Sequence, residues 1–190
     1  MLRMEIALFL ILAFVAYIYF PARRERTPLH QTFSVLLLTV LVHLVFDGAT
    51  LYTVNHLDTV PPLVNSLLHR AFIATMLLVV YLFYRYIAIL VEEETGTPRR
   101  FDLAAKCFLG AAELAALVLP VRYAITPEGN YSTGMQANVC YGGVAFYLLL
   151  CAGLLIANWK QIDRKKRFAI GAALLIEFTV CALQGLHHTW

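Results

Sequence analysis

Residues 32–54 and 64–91 are two apolar runs, each long enough to cross a lipid bilayer as a helix. The turn between them, Asn55-His56-Leu57-Asp58-Thr59-Val60-Pro61-Pro62, makes the two helices antiparallel. Within this membrane-like sequence stand His43, Asp47, His69 and Arg70. An ionisable side chain inside a bilayer costs about 2.5–3.5 kcal/mol on insertion scales, so it usually has a partner or a task. His43 and Asp47 are four residues apart and share one helix face. The antiparallel turn brings Asp47 to the depth of His69 and Arg70. The expectation is a polar pocket, or an Asp47–Arg70 charge pair that supports one.

The rest of the chain repeats the apolar pattern. Of its 190 residues 61% are hydrophobic and 14% charged, against about 45–50% and 25% in soluble domains. No soluble core hides so much apolar sequence. The reading is all-α: one polytopic membrane bundle of six transmembrane helices over 4–20, 32–54, 64–91, 101–119, 139–159 and 168–186. Short loops leave no room for a soluble catalytic domain. A net charge of +3 carries no sign of a nucleic-acid partner, because the basic residues gather in particular loops. The first run follows Arg3 as in a signal peptide, but Tyr17-Ile18-Tyr19-Phe20-Pro21 is too bulky for a cleavage site, so it reads as a retained helix. Cys107, Cys140, Cys151 and Cys181 are scattered, without disulfide or metal spacing.

Orientation follows from the basic loops. Those after spans one, three and five hold Arg23, Arg24, Arg26, Arg99, Arg100, Lys160, Arg164, Lys165, Lys166 and Arg167, whereas those after spans two and four hold Arg122 alone. By the positive-inside rule the odd loops are cytoplasmic and the N-terminus is outside. Glu92, Glu93 and Glu94 then sit unfavourably at the negative end of span three. Asp102 is expected to cap span four. Residues 121–138 read as the longest loop, with a formal glycosylation sequon at Asn130-Tyr131-Ser132.

Depth along each helix, at about 1.5 Å per residue, assigns the remaining polar groups. Asp47, Asn65, His69, Arg70 and Glu113 fall in the outer half, Glu177 near the middle of span six, and Gln184, His187 and His188 at its outer end. Of these, Asp47, Asn65, His69, Arg70, Glu113, Glu177 and Gln184 form, with His43, the candidate ligand-binding set, a cavity open to the outside. A second reading takes His43, Asp47, His69, His187 and His188 as ligands of a metal in an intramembrane hydrolase. Neither HxxxH nor HExxH is present, and adjacent His187 and His188 diverge on a helix. A small transporter is a third reading, without the inverted repeat such proteins show. No cofactor motif is present.

The stretch "FDGATLYTVNHLD…PPLVNSLLHRAFIATMLLVVYLFYRYI", Phe46 to Ile87 and on to Glu94, resembles the N-terminal membrane region of bacterial diguanylate cyclases bearing a GGDEF domain. So does "ITPEGNYSTGMQANVCYGGVAFYLLL", Ile125 to Leu150, followed by the basic "NWKQIDRKKR". The resemblance implies a multi-pass sensor in the bacterial plasma (inner) membrane that binds a small extracellular or membrane-borne ligand and relays to a cytoplasmic output. It also implies that Gly129, Tyr131, Ser132 and Gly134 shape the external face, and that the chain works as a homodimer among membrane lipid. Catalysis would belong to the output domain, so no catalytic residue carries over to this chain. With the N-terminus outside, a cytoplasmic output needs an odd number of spans. The resemblance therefore implies a seventh span beyond Trp190.

Overall fold

The computed structural model describes residues 2–22, 27–99, 101–126 and 129–187, with the backbone alone for 2–5 and 181–187. The described residues form six helices and one hairpin: α1 (Leu2–Tyr19), α2 (Pro28–Val54), α3 (Pro62–Thr95), α4 (Asp102–Val118), β1 (Arg122–Ala124), β2 (Tyr131–Thr133), α5 (Met135–Ala157) and α6 (Arg164–His187). The all-α expectation holds, with one small sheet added.

Most helices start earlier than their apolar runs, because local chemistry sets their ends. Thr27 caps α2 by accepting from the His30 amide at 3.2 Å, and Pro28 occupies the first turn, where no amide donor is needed. Pro62 starts α3 in the same way. Asp163 accepts from the Lys165 amide at 2.9 Å and starts α6. Asp102 does not cap α4: Phe101 holds the cap position without a side-chain bond, and Asp102 lies in the first turn, paired with Lys106 at 2.7 Å. That pair uses the i,i+4 geometry of one helix face.

α3 is the mast of the fold. At 34 residues it spans about 51 Å, well beyond a hydrocarbon core of about 30 Å. It packs against α2, α4 and α5, α1 packs on α2, and α6 on α5. The core between α3 and α5 centres on Leu77, Tyr84, Ile87, Tyr147, Leu148 and Cys151, all buried. Tyr147 donates to the Ala105 carbonyl at 2.8 Å and so ties α5 to α4. Gly143 sits where any Cβ would lie 2.3 Å from Leu77 Cδ2, so α5 approaches α3 closely at that point.

The outer surface is apolar. Leu10, Phe14, Leu38, Val45, Leu117 and Leu149 all face outward. A soluble monomer rarely exposes so much contiguous apolar area. α2, α3 and α5 are each long and apolar enough to cross a membrane, and α1 contributes a shorter apolar stretch, Ile6–Tyr19. The chain is built as a membrane protein.

The two ends of the bundle differ. One end carries the β1–β2 hairpin, antiparallel with Tyr123 opposite Ser132. The other carries Arg99, Lys160, Arg164, Lys165, Lys166 and Arg167. There two of the three glutamates ending α3 are offset: Arg99 pairs with Glu92 at 2.7 Å and Lys166 binds Glu94. Gly96, at φ 68°, closes α3 in the left-handed conformation, its N–H on the Glu92 carbonyl at 2.9 Å.

Candidate functional site

The hairpin end holds a buried polar cluster, built mainly on one face of α3. Asn65 and His69 lie one helical turn apart, 1% and 3% exposed. Thr53, near the end of α2, donates to Asn65 Oδ1 at 2.8 Å. The His69 ring meets Tyr123 of β1 edge-on, with centroids 5.9 Å apart. Gln136, in the first turn of α5 and 1% exposed, donates through Nε2 to the Ala116 carbonyl at 2.6 Å.

Arg70 shares that carbonyl. Its Nη1 donates to Ala116 O and its Nη2 to Leu119 O, each at 3.1 Å, and its Nε to Ser66 Oγ at 3.4 Å. Ala116 and Leu119 stand at the C-terminal end of α4, where the last carbonyls have no partner within the helix. The guanidinium fork supplies partners, and its charge complements the negative end of the helix dipole. The expected Asp47–Arg70 pair is thus replaced by a cap on α4: the described bonds of Arg70 go to two carbonyls and a hydroxyl. Asp47 stays half-buried on α2.

His43 lies next to this cluster rather than within it. Its ring stacks on Phe72 at 5.1 Å, and Phe72 touches His69 at 5.8 Å. His43 Nδ1 and Thr75 Oγ1 are 3.0 Å apart. Thr75 has its proton on the Ala71 and Phe72 carbonyls, so the His43 Nδ1–H is the donor. Glu113, half-buried on α4, makes no described bond to the cluster. Glu177 is exposed on α6. Gln184, His187 and His188 lie outside the residues whose side chains are described.

Among the described residues no three His, Cys, Asp or Glu gather in a way that would hold a metal ion. His43 and His69, two of the five residues in the metal reading, flank Phe72 instead of converging.

The chemically informative feature is what remains unpaired. Asn65 Nδ2, both ring nitrogens of His69, the Tyr123 hydroxyl and Gln136 Oε1 are buried without a hydrogen-bond partner among the described residues. Each such atom costs about 1–3 kcal/mol if left unsatisfied. Burial also raises the Tyr123 phenol above its usual pKa, an effect that the Arg70 charge opposes. The cluster therefore holds unused hydrogen-bonding capacity inside the bundle.

The hairpin brings Tyr123 to this cluster and is latched to α2. Asn130 donates through Nδ2 to the Val54 carbonyl at 2.9 Å and through its backbone N–H to Asn55 Oδ1 at 3.1 Å. The sequon asparagine thus has its amide engaged in a structural bond. Thr53, Tyr123 and Gln136 escape the sequence reading. Two of them fall inside the stretch read as loop, and α5 begins at Met135, four residues before its apolar run, which places Gln136 on a helix.

A concavity lies between α1 and α2. It is a groove of about 410 Å³ lined by Phe9, Leu44, Gly48 and Tyr52 among others. Its apolar walls suit a lipid chain and offer no polar chemistry.

No family model, curated protein or solved structure matches the chain.

Proposed function

We propose that this chain is the membrane-embedded sensory region of a bacterial signalling protein, a six-span bundle with its N-terminus and its hairpin on the outer face of the plasma membrane. A small molecule engages the polar cluster at the hairpin end, and α3 relays the change to the basic, cytoplasmic end. The observation that carries this reading is the set of buried, unpartnered polar atoms on Asn65, His69, Tyr123 and Gln136. A fold that only needed packing would place apolar side chains there, since buried polar groups without partners lower stability. The course of α3 adds support. One continuous helix holds Asn65 and His69 near its start and the Glu92–Arg99 and Glu94–Lys166 pairs at its end. A ligand acts through such an element only by binding two arrangements of it unequally.

The outward placement of the hairpin is tested by cysteine labelling of intact cells. With the native cysteines replaced by alanine, Ser132→Cys on β2 reacts with a membrane-impermeant maleimide, and Gln161→Cys in the basic loop does not. Labelling of Gln161→Cys alone overturns the orientation and, with it, external sensing.

A further inference from the structure

The basic end of the bundle carries a surface that ligand sensing does not use. Residues 159–168 run from just past α5, through a turn, into the start of α6. Two of the cations in this segment are engaged inside the protein. Lys166 binds Glu94, and Arg167 donates through Nη1 to the Trp159 carbonyl while its guanidinium lies 4.9 Å from the centre of the Trp159 ring system. Lys160, Arg164 and Lys165 are exposed and form no ion pair among the described residues. Asp163, the one carboxylate within the segment, turns Oδ1 to the Lys165 and Lys166 amides at 2.9 and 3.4 Å.

Apolar groups border these cations. Ile156 stands four residues before Lys160, and Phe168 four after Arg164, whose guanidinium lies 5.8 Å from the Phe168 ring. Ile156, Trp159 and Phe168 are all exposed. Unpaired positive charge therefore adjoins exposed apolar and aromatic surface at the end of α5, a helix long and apolar enough to cross a membrane. Aromatic side chains at the end of a span sit at the level of the lipid headgroups. We infer that this segment binds an anionic phospholipid, its phosphate near Lys160, Arg164 and Lys165 and its acyl chains against the apolar surface of α5 and α6. Each basic side chain close to an anionic headgroup strengthens such binding about fivefold. A zwitterionic headgroup brings its own cation to the same charges and gains less. A soluble anion would meet the cations and leave the apolar surface uncovered. The site stands whether or not the chain senses a ligand at its other end.

The test uses the full chain with Trp190→Phe, which leaves Trp159 as its one tryptophan, in nanodiscs of equal phosphatidylglycerol and phosphatidylcholine. Bromine is carried on the acyl chains of one lipid or of the other, and quenching of Trp159 fluorescence reports which lipid stands beside it. Stronger quenching by brominated phosphatidylglycerol is expected, corresponding to a preference of about fivefold or more. The triple variant Lys160→Gln/Arg164→Gln/Lys165→Gln should bring the two lipids to within about twofold, and Lys165→Gln alone should lower the preference part of the way. Equal quenching by the two lipids in the parent protein overturns the site. A preference unchanged in both variants overturns its assignment to these side chains. Loss of the preference on adding excess inorganic phosphate at constant ionic strength overturns the lipid as ligand in favour of a soluble anion.

Discussion

Replacing Arg70 by methionine tests the cap on α4. The guanidinium makes two bonds of 3.1 Å to the Ala116 and Leu119 carbonyls, and its third, to Ser66 at 3.4 Å, is long. A hydrogen bond to a charged group contributes about 1.5–3 kcal/mol. Ala116 O keeps its bond from Gln136, so Leu119 O is the carbonyl left bare. Methionine retains most of the apolar stem, which keeps the packing loss small. Removing a charge from the membrane works in the opposite direction, but Arg70 is only half-buried. The net expectation for Arg70→Met is a loss of about 2–4 kcal/mol. Arg70→Lys should lose about half of that, because one ammonium lacks the fork that reaches both carbonyls. Unfolding in mixed detergent–SDS micelles, followed by far-ultraviolet circular dichroism, reads both values. An Arg70→Met protein within about 0.5 kcal/mol of wild type, the scatter expected of neutral surface changes, refutes the cap. So does an Arg70→Lys protein as damaged as the methionine variant.

Other expectations follow from packing and from the polar bonds. Gly143→Ala should destabilise the bundle by about 1–3 kcal/mol, because its Cβ meets Leu77 at 2.3 Å. Gly142→Ala, with nothing within 4 Å, should be neutral or stabilising in the same assay. Tyr147→Phe should cost about 1 kcal/mol by removing the buried 2.8 Å bond to Ala105 and leaving that carbonyl short of a partner. The Glu94–Lys166 pair is exposed, so Lys166→Ala should change stability by less than about 1 kcal/mol, an effect that added salt reduces further.

Much of the scaffold is legible in the sequence because apolar runs of membrane length leave few alternatives. The elements around 32–54 and 64–91, and the turn between them, appear where composition and the Pro61-Pro62 pair place them. Three features resist such reading. The strands Arg122–Ala124 and Tyr131–Thr133 are three residues each, too short for an alternating pattern to register. Their turn is nonetheless hinted at by Gly129, at positive φ. Gln136 precedes the apolar run of α5, so hydropathy alone assigns it to a loop. Arg70 seeks a carboxylate in any sequence-level account, whereas its partners are backbone carbonyls that carry no residue signature. Asn65 and His69 were identifiable from polarity at the right helical spacing. Their companions Thr53 and Tyr123 come from other elements, and only tertiary structure brings them near.

The relay along α3 is the claim on which sensing depends. Asn130→Ala in nanodiscs unlatches the hairpin from Val54 while leaving the basic end chemically untouched. Hydrogen exchange measured by mass spectrometry then reads the amides of 159–167, which surround the Arg167–Trp159 and Lys166–Glu94 contacts. If the two ends are coupled, exchange in that segment changes along with exchange in the hairpin. If the hairpin loosens while exchange at 159–167 stays at the wild-type rate, the ends are independent and the relay is contradicted.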